Sequence, residues 1–142
     1  MTSISAVMTP NPAACRINTP VRDVARMMLD NDCGQIPVLD DQNRPMGVVT
    51  DRDIAIRLVA KSGNVAATAG DVMTSPIKTV RVDSDLKDCI CLMEEAKVRR
   101  VPVVDASGKL AGIVALADIA LAGKSKATAE VVQEVSVPMR AA

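Results

Sequence analysis

The sequence predicts an α/β (α+β) fold built from two successive β-α-β-β-α repeats. The first observation behind this is an ungapped internal duplication. Gly47-Val48-Val49-Thr50-Asp51-Arg52-Asp53-Ile54 returns 65 positions later as Gly112-Ile113-Val114-Ala115-Leu116-Ala117-Asp118-Ile119. At the same offset Val72-Met73-Thr74 repeats Val7-Met8-Thr9, Asp88 repeats Asp23, Pro102-Val103 repeats Pro37-Val38, and Asp105 repeats Asp40. A repeat of this length without a gap is a duplication and sets the architecture. The second observation is the alternation of short Val- and Ile-rich runs with one stretch of helical spacing in each half. The third is composition: 49% of the 142 residues are hydrophobic, yet there is no Phe, Trp or Tyr. The core is therefore built from Val, Ile, Leu, Met and Ala.

The elements follow in order. Ser5 to Pro10 starts the first unit, and Pro10 and Pro12 hold the next segment extended. Ala14 to Ile17 reads as a strand. Thr19-Pro20 reads as an N-cap with proline at the first helical position. Val21, Val24, Ala25, Met28 and Leu29 recur at helical spacing and predict an amphipathic helix over Val21 to Asp30. Gly34 ends the connection to a strand at Gln35 to Leu39. Asp40 to Arg44 is a turn, and Met46 to Val49 is the returning strand of a hairpin. A helix from Asp51 to about Val59 closes the repeat. Lys61-Ser62-Gly63-Asn64 is the clearest break in the chain. The boundaries expected are a first repeat at 1–60, a linker of weak helical character at 61–70, a second repeat at 71–123 and an extension at 124–142. The stretch Ala129 to Val137 reads as one further short element, ended by Pro138. Each half holds only about 50 residues, too few to bury a good core alone, so the halves are expected to pack on each other.

Composition excludes several classes of function. The chain has no histidine, which removes the usual Ser/His and Cys/His nucleophiles and most zinc sites. Seventeen basic and seventeen acidic residues cancel. Without a basic stripe or an aromatic platform, nucleic acid is not an expected partner. The apolar run from Leu110 to Ala117 is far too short to span a bilayer, so no membrane partner is expected. The start of the chain lacks a basic and then apolar leader, and a cytoplasmic protein with four reduced cysteines is expected. Those four, Cys15, Cys33, Cys89 and Cys91, contain no C-x-x-C pair and read first as small hydrophobes. Cys89 and Cys91, two apart on a helix, point to different faces. No catalytic set emerges, so the chain is not expected to be an enzyme.

Thr50 and Asp53 carry the chemistry that remains. Their spacing is that of a capping box, in which Thr50 caps the helix and Asp53 favours its positive end. The same hydroxyl and carboxylate, at a strand-to-helix turn, suit the vicinal diol of a ribose. A helix N-terminus also suits a phosphate, and Arg52 stands beside it as a charge-assisted donor. Whether Asp53 faces an open cleft or bonds only its own helix distinguishes the two readings.

With an apolar-Pro-Val-apolar-Asp strand and a Gly-apolar-apolar-x-x-x-Asp turn in each half, the chain resembles a CBS domain pair, or Bateman module, over roughly Val7 to Gly123. The resemblance implies two clefts related by pseudo-twofold symmetry and a homodimer. It implies an adenosyl ligand, either AMP, ADP or ATP or S-adenosylmethionine, bound as a regulatory ligand with no essential cofactor. Residue by residue, Thr50 and Asp53 fall on the ribose positions, and Gln35 and Ile36 fall on the strand that lines the base. In the second half Asp118 fits, whereas Ala115 replaces the hydroxyl. One lost hydrogen bond is worth roughly 0.5–1.5 kcal/mol, so the second cleft is expected to be weaker and Asp53→Ala to cost more binding than Asp118→Ala. Arg99 and Arg100, before Val101-Pro102, lie where the family often places a basic residue near phosphates, and Lys97 adds to that patch. The function implied is a stand-alone regulatory module that signals ligand binding to an unidentified partner protein. The alternative is a ligand-free dimerisation or interaction module in which Thr50 and Asp53 only cap a helix; a thiol-responsive module using Cys33 or Cys89 and Cys91 is a weaker third reading.

Overall fold

The computed structural model describes residues 2–61 and 63–122. The extension expected after the second repeat, including Ala129 to Val137, lies outside the described residues. In chain order, a 3-10 turn at Ile4–Ala6 precedes β1 (Thr9–Pro10), β2 (Cys15–Arg16), α1 (Val21–Asn31), β3 (Gln35–Leu39) and β4 (Pro45–Thr50). Then come α2 (Asp51–Asp53, continued by π-helical turns over Ile54–Val59), α3 (Ala69–Val72) and β5 (Val80–Arg81). The last elements are α4 (Leu86–Ala96), β6 (Arg100–Val104), β7 (Leu110–Ala115) and α5 (Leu116–Leu121). Two sheets result, with strand orders β2-β3-β4 and β1-β7-β6-β5.

The duplication is copied down to strand register. Gln35 pairs with Thr50, Ile36 with Val49 and Val38 with Gly47, with a bulge between Val38 and Leu39. Arg100 pairs with Ala115, Val101 with Val114 and Val103 with Gly112, with a bulge between Val103 and Val104. Both hairpin turns close the same way. Asp40 Oδ1 accepts the N–H of Gln42 (2.8 Å) and Arg44 (3.0 Å), and Asp105 Oδ1 accepts those of Ser107 (2.8 Å) and Lys109 (3.0 Å). The Arg44 amide is the largest influence holding the Asp40 carboxyl below its ordinary value. Asn43 (φ 63°) and Gly108 (φ 83°) take the left-handed position of the two turns.

Two local expectations are corrected. Thr19 does not cap α1. Its hydroxyl accepts the Arg16 N–H at 2.9 Å and closes a turn, while the Val21 N–H, otherwise an orphan, donates to the Ala67 carbonyl at 3.0 Å. After α1 Asp32 takes the left-handed position (φ 49°), with the Cys33 N–H on the Met28 carbonyl, as Lys97 does (φ 55°) after α4. Within α1, Val21, Val24 and Met28 are buried as expected, but Leu29 is 70% exposed and Met27 is half-buried in its place.

The segments that share a core do not run continuously along the chain. One compact unit runs from Pro12 to Ile77; the other joins the segment ending at Asn11 to the chain from Lys78. The first core gathers Cys15, Val21, Val24, Met28, Ile36, Val38 and Val49 with Ala67, Ala69 and Val72 from the stretch expected to be linker and second-repeat start. The second gathers Ile4 with Val80, Leu86, Cys89, Met93, Val101, Val103, Val114 and Ile119. Thr74 exchanges both backbone bonds with Val48, at 3.0 and 2.8 Å, and β1 pairs with β7 through Thr9 and Ile113. Each Val-Met-Thr segment, which the sequence places at the head of its own repeat, is thus built into the unit of the other. Gly47 and Gly112 permit it. A Cβ at Gly47 would lie 2.8 Å from Met73 Sδ and 2.9 Å from the Thr74 carbonyl; one at Gly112 would lie 2.6 Å from Met8 Sδ and 2.8 Å from the Thr9 carbonyl.

Candidate ligand-binding site

Thr50 is the last residue of β4 and the N-cap of α2, with extended backbone (φ −107°, ψ 162°). Its Oγ1 accepts the Asp53 N–H at 3.0 Å, and its own N–H donates to Asp53 Oδ2 at 3.0 Å. The capping box read from the sequence is therefore present. Asp53 carries more than the box. The residue is almost wholly buried, at 8% exposure. The Thr74 hydroxyl donates to Oδ1 at 3.1 Å, and Arg57 Nε stands 3.7 Å from the same oxygen. Arg57 in turn donates from Nη1 to the Met73 carbonyl at 2.8 Å. A buried carboxylate is stable only when hydrogen-bonded and paired, and these contacts meet that need.

Sequence reasoning missed Arg57 and Thr74. Arg57 is four residues past Asp53 on the same helix, a spacing open to inspection. Thr74 was visible as a repeated motif, but its placement beside Asp53 depends on the exchanged segment.

Gln35 stands opposite Thr50 across β3 and β4, so the two side chains share a face of the sheet. Gln35 Oε1 is buried and has no hydrogen-bond partner. Ile36, expected to line a base, is fully buried in the first core opposite Val49, so only its backbone can meet a ligand. The physical reason is the two-residue period of a strand: Gln35 and Ile36 cannot face the same way. Arg52 is exposed, and its N–H donates to Asp51 Oδ1 at 2.8 Å.

The second repeat keeps half of this arrangement. Asp118 Oδ2 accepts the Ala115 N–H at 2.8 Å, but Ala115 has no hydroxyl to return. Among the described residues the Asp118 carboxylate accepts no other hydrogen bond, and the residue is only half-buried. Arg100 stands opposite Ala115, and the Arg99 carbonyl accepts the Leu116 N–H at 2.8 Å. Both arginines are exposed at the turn that carries Asp118.

The cysteines divide by burial. Desolvation pushes the Cys15 thiol up to about 11 and the Cys89 thiol up to about 12, which suits core packing rather than reactivity. Cys33 Sγ donates to the Gln35 carbonyl at 3.6 Å, and Cys91 is exposed. Among the described residues no three of His, Cys, Asp or Glu gather into a metal site, and no helix is long and apolar enough to cross a membrane.

The model of one protein family, the CBS domain, matches residues 4–60 and again 69–125. The chain belongs to the CBS domain family. Hypoxic response protein 1 of Mycobacterium tuberculosis is 33% identical over 140 residues, 98% of this chain and 97% of that protein. A crystal structure of that protein holds two coordinated zinc ions; it superposes with a TM-score of 0.77 over 84% of this chain and 98% of its own, whereas this chain has no histidine. CBSX2 of Arabidopsis thaliana, crystallised in complex with AMP, is 31% identical with a TM-score of 0.77, covering 89% of this chain and 98% of its own. The protein MK0525 of Methanopyrus kandleri is 34% identical over 98 residues, 68% of this chain, and there the chain spans half of the relative's length. The chain is thus a tandem CBS pair.

Proposed function

We propose that this CBS pair is a regulatory, non-catalytic module that binds an adenosyl ligand and passes the change to a partner protein. The observation that carries the reading is the carboxylate at the strand-to-helix turn of both repeats, in a chain similar throughout to a protein crystallised with AMP. Asp53 and Asp118 serve as acceptors for ribose hydroxyls. Thr50, Gln35, Arg52 and the Ile36 backbone complete the first site, and Arg100 completes the second. Binding biases the packing of the module, in a homodimer, and the partner reads the biased state.

One observation favours a second reading. Asp53 is buried and already bonded to Thr50, Thr74 and Arg57. That is what a purely structural cap requires, so the first repeat fits a ligand-free interaction module as well. Isothermal titration of the folded protein with AMP, ATP and S-adenosylmethionine separates the two. Heat with one of them, weakened in Asp53→Asn or Asp118→Asn, supports the sensor. No heat with any of the three supports the interaction module. Sedimentation at several concentrations tests the dimer, and a monomer mass throughout counts against it.

A further inference from the structure

The Val72-Met73-Thr74 segment is held on its unit in three ways. Its backbone pairs with Val48, through bonds of 3.0 and 2.8 Å at Thr74. The Thr74 hydroxyl donates to the Asp53 carboxylate, 3.1 Å from Oδ1 and 3.3 Å from Oδ2. Arg57 bridges the same carboxylate to the segment, with Nε 3.7 Å from Oδ1 and Nη1 donating to the Met73 carbonyl at 2.8 Å. Two of the three holds therefore converge on Asp53. A carboxylate offers about four lone-pair positions. At Asp53 the Thr50 N–H takes one on Oδ2, the Thr74 hydroxyl takes one on Oδ1, and the Arg57 guanidinium stands against Oδ1. A vicinal diol donates two hydrogen bonds to one carboxylate, so it reaches this buried group only by displacing Thr74 or Arg57.

The second repeat makes the same exchange without these two holds. Thr9 stands at the position of Thr74, and Ala122 at that of Arg57. The backbone pairing is kept, Thr9 lying opposite Ile113 as Thr74 lies opposite Val48. Among the described residues no hydrogen bond joins Thr9 to Asp118, whose carboxylate accepts only the Ala115 N–H. The hairpin registers are also the same, so the two repeats differ here in side chains alone.

We propose that Thr74 and Arg57 form a latch that closes the first site. The Thr74 hydroxyl occupies the place of a ligand hydroxyl, and a ligand enters by loosening the Val72-Met73-Thr74 segment from Asp53. The second site has no latch. This rests on the adenosyl reading above and adds a response to it. The segment leads out of its unit, since the unit ends at Ile77 and the chain joins the other at Lys78. Occupation of the first site thus removes two of the three holds on the chain's exit from the unit. The affinity of the first site is lowered by the fraction of molecules that stay latched.

The test is an NMR titration of the full chain with AMP. The Thr50 and Ala115 amides each donate to the carboxylate of their own turn, so their shifts report the two sites separately. Thr74→Val removes the hydroxyl and keeps the shape of the side chain. It is expected to tighten the binding read at Thr50 by about tenfold and to leave that read at Ala115 within about twofold. Thr74→Ser keeps a hydroxyl and is expected to bind as the wild type does. Arg57→Gln is expected to tighten the first site by about threefold, and it decides in the same way should Thr74→Val not fold. In the wild type, AMP bound at the first site is expected to speed hydrogen exchange of the Thr74 and Val48 amides by about threefold or more. First-site binding seen only in Thr74→Val also supports the latch. First-site affinity unchanged or lowered in Thr74→Val overturns the latch and leaves the adenosyl reading standing. So do Thr74 and Val48 amides that exchange no faster with the first site filled, and a response at Ala115 alone in every variant. AMP that shifts neither reporter in the folded wild type or the folded variants overturns both.

Discussion

Replacing Ile4 by alanine removes three buried carbons from a core that the sequence places most of the chain away. Ile4 has no exposed surface, and its backbone N–H donates to the Ser84 carbonyl at 3.2 Å. At about 0.8 kcal/mol per buried carbon, transfer alone gives a loss of about 2.4 kcal/mol. A partly collapsed cavity adds to this, within a range of about 2–5 kcal/mol for such substitutions, so about 3 kcal/mol is expected. Ile4→Val removes one carbon and is expected to cost about 1 kcal/mol. Urea denaturation measures both, and the thermal midpoint of the alanine variant is expected to fall by about 10 °C. The slope of the urea transition is expected to stay that of the wild type, since the surface exposed on unfolding is nearly unchanged. A loss below about 1 kcal/mol for Ile4→Ala would refute the reasoning, because it would mean that the N-terminal segment is not anchored in the second core.

Other consequences can be tested on the same protein. Gly112→Ala sets a Cβ against Met8 Sδ and the Thr9 carbonyl, so it is expected to separate β1 from β7 and expose the Thr9 and Ile113 amides to hydrogen exchange. Thr50→Ala removes one capping bond and is expected to cost about 1 kcal/mol by chemical denaturation, while Ala115→Thr, which restores the missing hydroxyl, is expected to stabilise by a similar amount. Thiol titration at pH 8 is expected to label Cys91 in the folded protein, with Cys15 and Cys89 reacting only on unfolding; rapid labelling of all four would count against the burial described. The buried thiols also set a pH dependence. Their folded values, about 11 and about 12, lie above the ordinary 9.0, so folding holds their protons more tightly than the unfolded chain does. Their stabilising contribution is complete below pH 9.0 and is lost as pH rises toward 11–12, which denaturation at a series of alkaline pH values would show and which Cys89→Ala would reduce.

Much of the site was legible because it is local. The capping box needs only Thr50 and Asp53 three residues apart, and the hairpin turns need only Asp40 and Asp105 followed by residues that tolerate a left-handed backbone. The face of Ile36 was legible as well: it lies next to Gln35 on a strand, and period two sends one of them inward. Arg57 was within reach on the same grounds, four residues from Asp53 on a helix. Thr74 was not, since nothing near position 74 indicates which sheet it joins.

The sequence by itself determined the duplication, the order of the elements and the pairing within each hairpin. These depend on spacings of a few residues and on a repeat that can be counted. Only the tertiary structure decided that the Val-Met-Thr segments are exchanged between the units, that Thr74 and Arg57 close around Asp53, and that Asp118 is only half-buried. Those outcomes depend on which buried surface a short extended segment covers. Gly47 and Gly112 make room for either segment, and the choice between them is settled by long-range burial of Ile4 and of Ala67, Ala69 and Val72, for which no local pattern exists.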